Sequence, residues 1–258
     1  MSAKPRSYFM ENERIDPQKF LGPLILAWIA SCLICAIIAC LGVLFLRIPY
    51  DDLQPVTAPS NILPCPGVPA GWEHSTVDDF GSSSQFYWPD LIYHRPGFEW
   101  RLEADALRAY ITGSQRNPDW VYRSATYVRD FYLQADIKQL TGPVKSHYGI
   151  VFHSRENLGG ERYAFVINGS QQYAIWHKDP YDWNTIVDWK QSSLIKVDGS
   201  NQLVVLGEGN RYTVCINGQT VDSFEDESLP SGGIGFQVGM NADGDSSFEF
   251  DRLEIFQP

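Results

Sequence analysis

Aromatic rings with an apolar face and a polar tip, set among Asp and Asn, suit stacking against and hydrogen bonding to a sugar, and this chain carries two such stretches. Tyr181, Trp183 and Trp189 follow His177-Lys178-Asp179-Pro180, and Trp120 and Tyr122 follow Asn117-Pro118. Both stretches read as polar loops between strands. The same side chains would equally anchor a protein interface, or simply close the ends of a sandwich. Other chemistry is poorly supplied. The five histidines, at 74, 94, 147, 153 and 177, show neither His-x-His nor His-Glu-x-x-His spacing, and no Gly-rich phosphate loop follows a strand and opens a helix. Cys65 and Cys215 are the two cysteines outside the apolar run described next, and they either bridge in an oxidising compartment or remain free thiols.

The elements that would position these groups begin with an uncharged run, Leu24 to Leu46. About 20 apolar residues cross the roughly 30 Å hydrocarbon core as a helix, and a cleaved signal would have a shorter core of about 7 to 15. The expectation is a transmembrane helix over 21–47, a cytoplasmic tail over 1–20 and a proline-rich linker over 48–71. Lys4, Arg6, Arg14 and Lys19 precede the run and Arg47 follows it, which places the N-terminus in the cytoplasm and the C-terminal domain outside the cell membrane. Ala27, Ser31, Cys35 and Ala39 recur every four residues, a small-residue face suited to helix packing in lipid against other membrane or envelope proteins.

Net charge is −11, and residues 1–50 are slightly basic, so the outer domain carries the acidity. No basic cluster lies outside the tail. Nucleic acid is therefore excluded as a partner.

Residues 72–258 read as all-β. Asn168-Gly169, Asp198-Gly199 and Asn217-Gly218 each separate runs rich in β-branched and aromatic residues, the pattern of hairpins closed by type I′ turns. Further strands are predicted at Phe98 to Ala104, Leu107 to Ile111, Phe131 to Ile137, Tyr148 to His153, Gly232 to Val238 and Ser247 to Phe256. About a dozen strands at this spacing suit a two-sheet antiparallel jelly-roll sandwich.

Val77-Asp78-Asp79-Phe80, Tyr148-Gly149-Ile150-Val151-Phe152, Val214-Cys215-Ile216-Asn217-Gly218, Gly232-Gly233-Ile234-Gly235-Phe236 and Phe248-Glu249-Phe250-Asp251-Arg252-Leu253 occur in an order that resembles the concanavalin A-like lectin/glucanase superfamily. The likeness is to its laminin-G-like and family-16-hydrolase-like (keto-disaccharide hydrolase-like) modules. It implies a structural calcium where the first and last strands meet, at Asp79 and Asp251 with Asp78 beside them. Strand-end capping by the same carboxylates is the alternative.

Retaining glucanases of that group carry Glu-x-Asp-x-Glu or Glu-x-Asp-x-x-Glu on one strand, which sets two carboxylates about 5 Å apart. This chain has no such pattern, since Glu103-Ala104-Asp105 continues Ala106-Leu107-Arg108. The expectation is a membrane-anchored, non-enzymatic interaction module that serves as an accessory or assembly subunit. A surface carbohydrate-binding module is the alternative, and a glycoside hydrolase ranks third.

Overall fold

The computed structural model describes residues 63–258, except 82–83, 85–86, 89–94, 114, 116, 156–159 and 241. The expected anchor, its small-residue face at Ala27, Ser31, Cys35 and Ala39, and the cytoplasmic tail lie outside the described residues. Among the described residues no helix is long and apolar enough to cross a membrane.

Fourteen strands among the described residues form two antiparallel sheets. One sheet runs in the order β12 (Gln219–Glu225), β11 (Arg211–Ile216), β10 (Asn201–Glu208), β5 (Phe131–Thr141), β14 (Ser246–Gln257), β3 (Ala106–Ile111) and β2 (Phe98–Glu103). Strand β1 (Glu73–Asp78) pairs with the second half of β14, where Asp78 lies opposite Leu253. The other sheet runs β4 (Asp119–Val128), β13 (Gly232–Gly239), β6 (His147–Arg155), β7 (Glu161–Asn168), β8 (Gln172–Lys178) and β9 (Trp183–Gln191). The result is the expected all-β sandwich of the jelly-roll kind.

Alternation builds the core. Successive side chains of a strand point to opposite faces, so Tyr163, Phe165 and Ile167 of β7 face inward together with Ile150, Phe152, Ile234 and Phe236. They meet Leu133, Ile137, Leu203, Val214, Phe248 and Phe250 from the other sheet, all fully buried. Phe236 and Phe250 join the two layers with ring centroids 4.3 Å apart.

Buried polar contacts add direction to this apolar packing. The Asp78 carboxylate of β1 accepts bonds from the Phe80 backbone N–H, Ser84 Oγ, Trp88 Nε1 and, across the sandwich, Arg123 Nε of β4 at 3.1 Å. Asp119 of β4 reciprocates from the other sheet, accepting from Trp100 Nε1 of β2 at 2.8 Å and from Arg95 Nη1. Near the opposite edge, Tyr173 of β8 donates its hydroxyl to the Val221 carbonyl of β12 at 2.9 Å.

Turn chemistry follows the sequence at one of the three expected hairpins. Asn217 and Gly218 both have positive φ, 50° and 81°, as a type I′ turn requires. At Asn168-Gly169 the positive φ falls instead on Gln171, and the Asn168 side chain accepts from the backbone of Ser170 and Gln172, which makes a three-residue connection. Leu194 to Val197 forms no strand, and Asp198-Gly199 closes no hairpin. Asn201 ties that segment into a loop by accepting from the Lys196 N–H and donating to the Lys196 and Gly199 carbonyls.

Cys65 is joined to Cys215 of β11, with the two Cα atoms 5.8 Å apart. The incoming chain is also bonded to the β11–β12 hairpin: Cys65 N–H donates to the Gly218 carbonyl and Thr220 N–H to the Leu63 carbonyl, both at 2.9 Å. The segment after the proline-rich stretch is thereby held against one edge of the eight-stranded sheet.

Candidate functional site

The two sheets present very different outer faces. On the eight-stranded sheet, Glu249 of β14 accepts from Arg108 of β3 at 2.7 Å and pairs with Lys138 of β5 at 2.5 Å, while Arg101 and Glu99 pair on β2. These pairs saturate one another's charge, and the exposed Arg101–Glu99 pair contributes little stability.

The outer face of the six-stranded sheet is aromatic. Val151, Ala164, Val166 and Ala174 form its floor, and Trp176, Trp183 and Trp189 pack on them while remaining partly open to solvent. Trp176 stands edge-on to Trp183 and Trp189, with centroids 5.8 and 5.3 Å away, and the His147 ring meets Trp176 at 5.1 Å. Small residues on the central strands lower the floor, and bulky rings on β8 and β9 raise one wall.

Arg162 of β7 extends along this face with 1% of its surface exposed. Its Nη1 donates to the Gly160 carbonyl at 2.6 Å and its Nε to Gln237 Oε1 at 3.0 Å. The guanidinium carbon lies 3.7 Å from the centre of the Trp120 ring and 4.8 Å from that of Trp183. Burial pulls its pKa down to about 9, so it stays charged at neutral pH. Gly160 permits this arrangement: its φ is +72°, and a Cβ there would lie 2.7 Å from the Trp120 ring. Arg95 stacks on the same indole at 4.4 Å and pairs with Asp119.

Among the described residues, two polar groups on this face have no protein partner, namely both ring nitrogens of His147 and Nε2 of Gln237. A buried donor or acceptor without a partner costs about 1–3 kcal/mol, so these atoms are suited to a group that arrives from outside. Burial lowers the His147 pKa from 6.5 to about 4. The unfolded chain therefore takes up this proton first, and stability falls as pH drops from about 6.5 to about 4, by up to about 3 kcal/mol. Denaturant titrations of the wild type and of His147→Gln across this window should show a shallower acid loss in the variant. Parallel curves would refute a buried neutral imidazole.

Of the aromatic residues singled out in the sequence, Trp120, Tyr122, Trp183 and Trp189 lie on this sheet, but on strands β4 and β9 and not in loops. Tyr181 stands apart at the β8–β9 turn, 94% exposed. The Asp179 carboxylate holds that turn by accepting from the backbone of Tyr181 and Asp182 and from Asn184 Nδ2. Sequence reasoning missed Trp176, His147, Arg162 and Gln237. Trp176 was detectable, because it shares the alternation of Ala174 on a strand already recognised.

The calcium set implied by the family resemblance does not assemble. Asp78 points between the sheets and is occupied by protein donors, whereas a bulge between Phe250 and Arg252 turns Asp251 toward the outer face. There Asp251 lines a cleft with Asp136, Lys196 and Gln202, and burial with the nearby Glu249 pushes its pKa up. Asp79 caps the following turn by accepting from the Gly81 N–H. Among the described residues no cluster of three or more His, Cys, Asp or Glu is placed to hold a metal ion.

No protein-family model matches the chain, and no curated protein matches it. Solved structures do. One is a GlcNAcα1-4Gal-releasing endo-β-galactosidase from Clostridium perfringens, 14% identical with a TM-score of 0.54 over 77% of this chain and 66% of that one. Another is a non-specific endo-β-1,3(4)-glucanase of family GH16, 13% identical with a TM-score of 0.51 over 77% of this chain and 99% of that one. A third comes from work on endo-acting O-glycanases of the human gut microbiota, 8% identical with a TM-score of 0.52 over 72% of this chain and all of that one. The chain shares their fold.

The two-sheet antiparallel sandwich expected from the sequence is thus the fold of these solved structures. The expectation of a domain that is not an enzyme is corrected by the same finding: two of the solved structures that share the fold are glycosidases, so the architecture does not argue against catalysis.

Proposed function

We propose that the outer face of the six-stranded sheet binds a carbohydrate chain, on an extracytoplasmic domain carried by the anchor at residues 21–47. The observation that carries the reading is the cluster of Trp176, Trp183 and Trp189 over a floor of small side chains, with unpartnered polar atoms of His147 and Gln237 beside it. Indole faces stack on the apolar faces of sugar rings, and a few fixed polar groups orient the hydroxyls. Solved structures that share the fold include an endo-β-galactosidase and an endo-β-glucanase, which favours this reading over an assembly subunit.

The test is binding of the full chain, reconstituted in vesicles, to an array of polysaccharides. Trp176→Ala is expected to weaken binding by about 2 kcal/mol, about thirtyfold, as truncation of a central aromatic anchor does. No retained polysaccharide, or an unchanged affinity in the variant, would remove the proposal. Release of reducing ends from the bound polymer, measured on the same samples, reports hydrolysis. Loss of the chain from the vesicles in alkaline carbonate would argue against the anchor.

A further inference from the structure

Arg162 is unusual in a domain with a strong excess of acidic residues. A desolvated charge is costly unless an opposite charge neutralises it, yet among the described residues no carboxylate pairs with this guanidinium. Asp119, the nearest acidic influence on it, is already engaged by Arg95 and Trp100. Arg162 is held by two indole rings and two neutral acceptors, and among the described residues no carboxylate offsets its positive charge through a direct pair. Arg95 adds a second guanidinium on the Trp120 ring, with its side chain about half exposed. Like charges sharing one ring repel, and Arg95 itself depresses the Arg162 pKa. The remaining unpartnered side-chain groups on the face are the Gln237 amide donor and the neutral His147 ring.

From this juxtaposition we infer that the face selects acidic saccharides, whose carboxylate or sulfate group sits over the Trp120–Arg95–Arg162 end while a neighbouring sugar ring stacks on Trp176, Trp183 and Trp189. The inference rests on the carbohydrate reading of this face and narrows it to a ligand class. An anion supplies a countercharge that no described carboxylate gives by direct pairing, and a charge-assisted bond to guanidinium is roughly twice as strong as a neutral one. The two rows of residues divide the work: rings give affinity for the chain, and the arginines give preference for its charge.

The experiment compares the full chain on matched polymers that differ only in charge: a polyuronate and its carboxyl-reduced form, and a sulfated galactan and its desulfated form. The expected result is about tenfold tighter binding to the acidic member of at least one pair at low ionic strength, shrinking at about 0.5 M salt. Which pair shows it distinguishes carboxylate from sulfate. Arg162→Gln should abolish the preference for the acidic member of each pair. Because Arg162 is buried, Arg95→Gln at the half-exposed position provides a second reading, with the preference cut severalfold in a domain whose circular dichroism shows it still folded. Equal affinity for both members of each pair would overturn the inference while the carbohydrate reading stands. A preference that survives both substitutions would overturn it as well. Absence of binding to every polymer would instead remove the underlying reading.

Discussion

Asp78→Ala is expected to destabilise the domain by about 3–5 kcal/mol, read as a lower denaturation midpoint with an unchanged slope. The carboxylate is 3% exposed and gathers four donors from three different parts of the chain, among them Arg123 on the opposite sheet. Its removal leaves the Arg123 guanidinium in the sandwich interior with its bond to Thr126 but without its bond to Asp78. The Trp88 indole N–H loses its acceptor at the same time. The loss is of a charge and of the acceptor for four donors at one buried point, which is why the figure exceeds that of an ordinary polar contact. Asp79→Ala is the matched control. That carboxylate is exposed and caps a single turn, so its removal should stay within about 0.5 kcal/mol. Equal losses at both positions would contradict the asymmetry seen here and revive a shared ion.

The second large effect belongs to the Cys65–Cys215 bridge. It closes a loop with a sequence separation of 150 residues, and the chain-entropy model assigns such a loop about 5 kcal/mol, the upper end of what disulfides contribute. Cys65→Ala and reduction of the wild type should lower the unfolding free energy by similar amounts, and reduction of the variant should add nothing further. Cys215 is fully buried with Tyr132, Val204 and Leu206, so Cys215→Ala carries a small extra cavity cost. An unfolding curve indifferent to reductant would show that the two thiols are not bridged in the protein. Limited proteolysis provides the local counterpart. Once the link is gone, residues 63–65 retain mainly the backbone bonds to Gly218 and Thr220, and cleavage near them should precede unfolding of the sheets.

The central strands were legible because their composition and alternation agree with their burial. Tyr163 to Ile167 and Tyr212 to Ile216 lie within β7 and β11 and alternate as a strand facing a core should. The strands that escaped notice break that agreement. In β4, Arg123 points inward to Asp78, so a charged residue occupies a core position and the period is lost. In β9, pairing slips at Tyr173/Ile175 and again at Ile175/Trp176, which puts Ile186 and Val187 in sequence on the core side. Both were read as loops for this reason, and their tryptophans were assigned to the correct chemistry in the wrong setting.

The candidate site was half legible. Tryptophans beside Asp and Asn invite a reading as sugar contacts wherever they lie. What composition could not convey is which of them share a sheet face, since that depends on the order β6-β7-β8-β9 and on the bulges within it. His147 and Arg162 were invisible for a different reason. A lone histidine or arginine carries no motif, and their significance lies in partners they lack, which only three-dimensional neighbours reveal. The carboxylates named for calcium were legible as residues but not as neighbours: Asp78 turns inward to Arg123, while Asp251 lies at a bulge of β14 beside Lys138, and no spacing rule announces a bulge.

The place of β14 also governs how the domain comes into being. It is the last of the described strands to be synthesised, yet it sits between β5 on one side and β3 and β1 on the other. Until it emerges, strands made more than a hundred residues earlier wait with open edges, and the eight-stranded sheet exists only as three pieces: β12 to β5, the β2–β3 hairpin, and β1 alone. Assembly of this layer is therefore deferred until the whole domain has left the ribosome, and its slowest step joins partners distant in sequence. A chain exported through a membrane in an extended state would lose nothing by that delay, because the final strand and its first partners would arrive on the same side before the sheet could close.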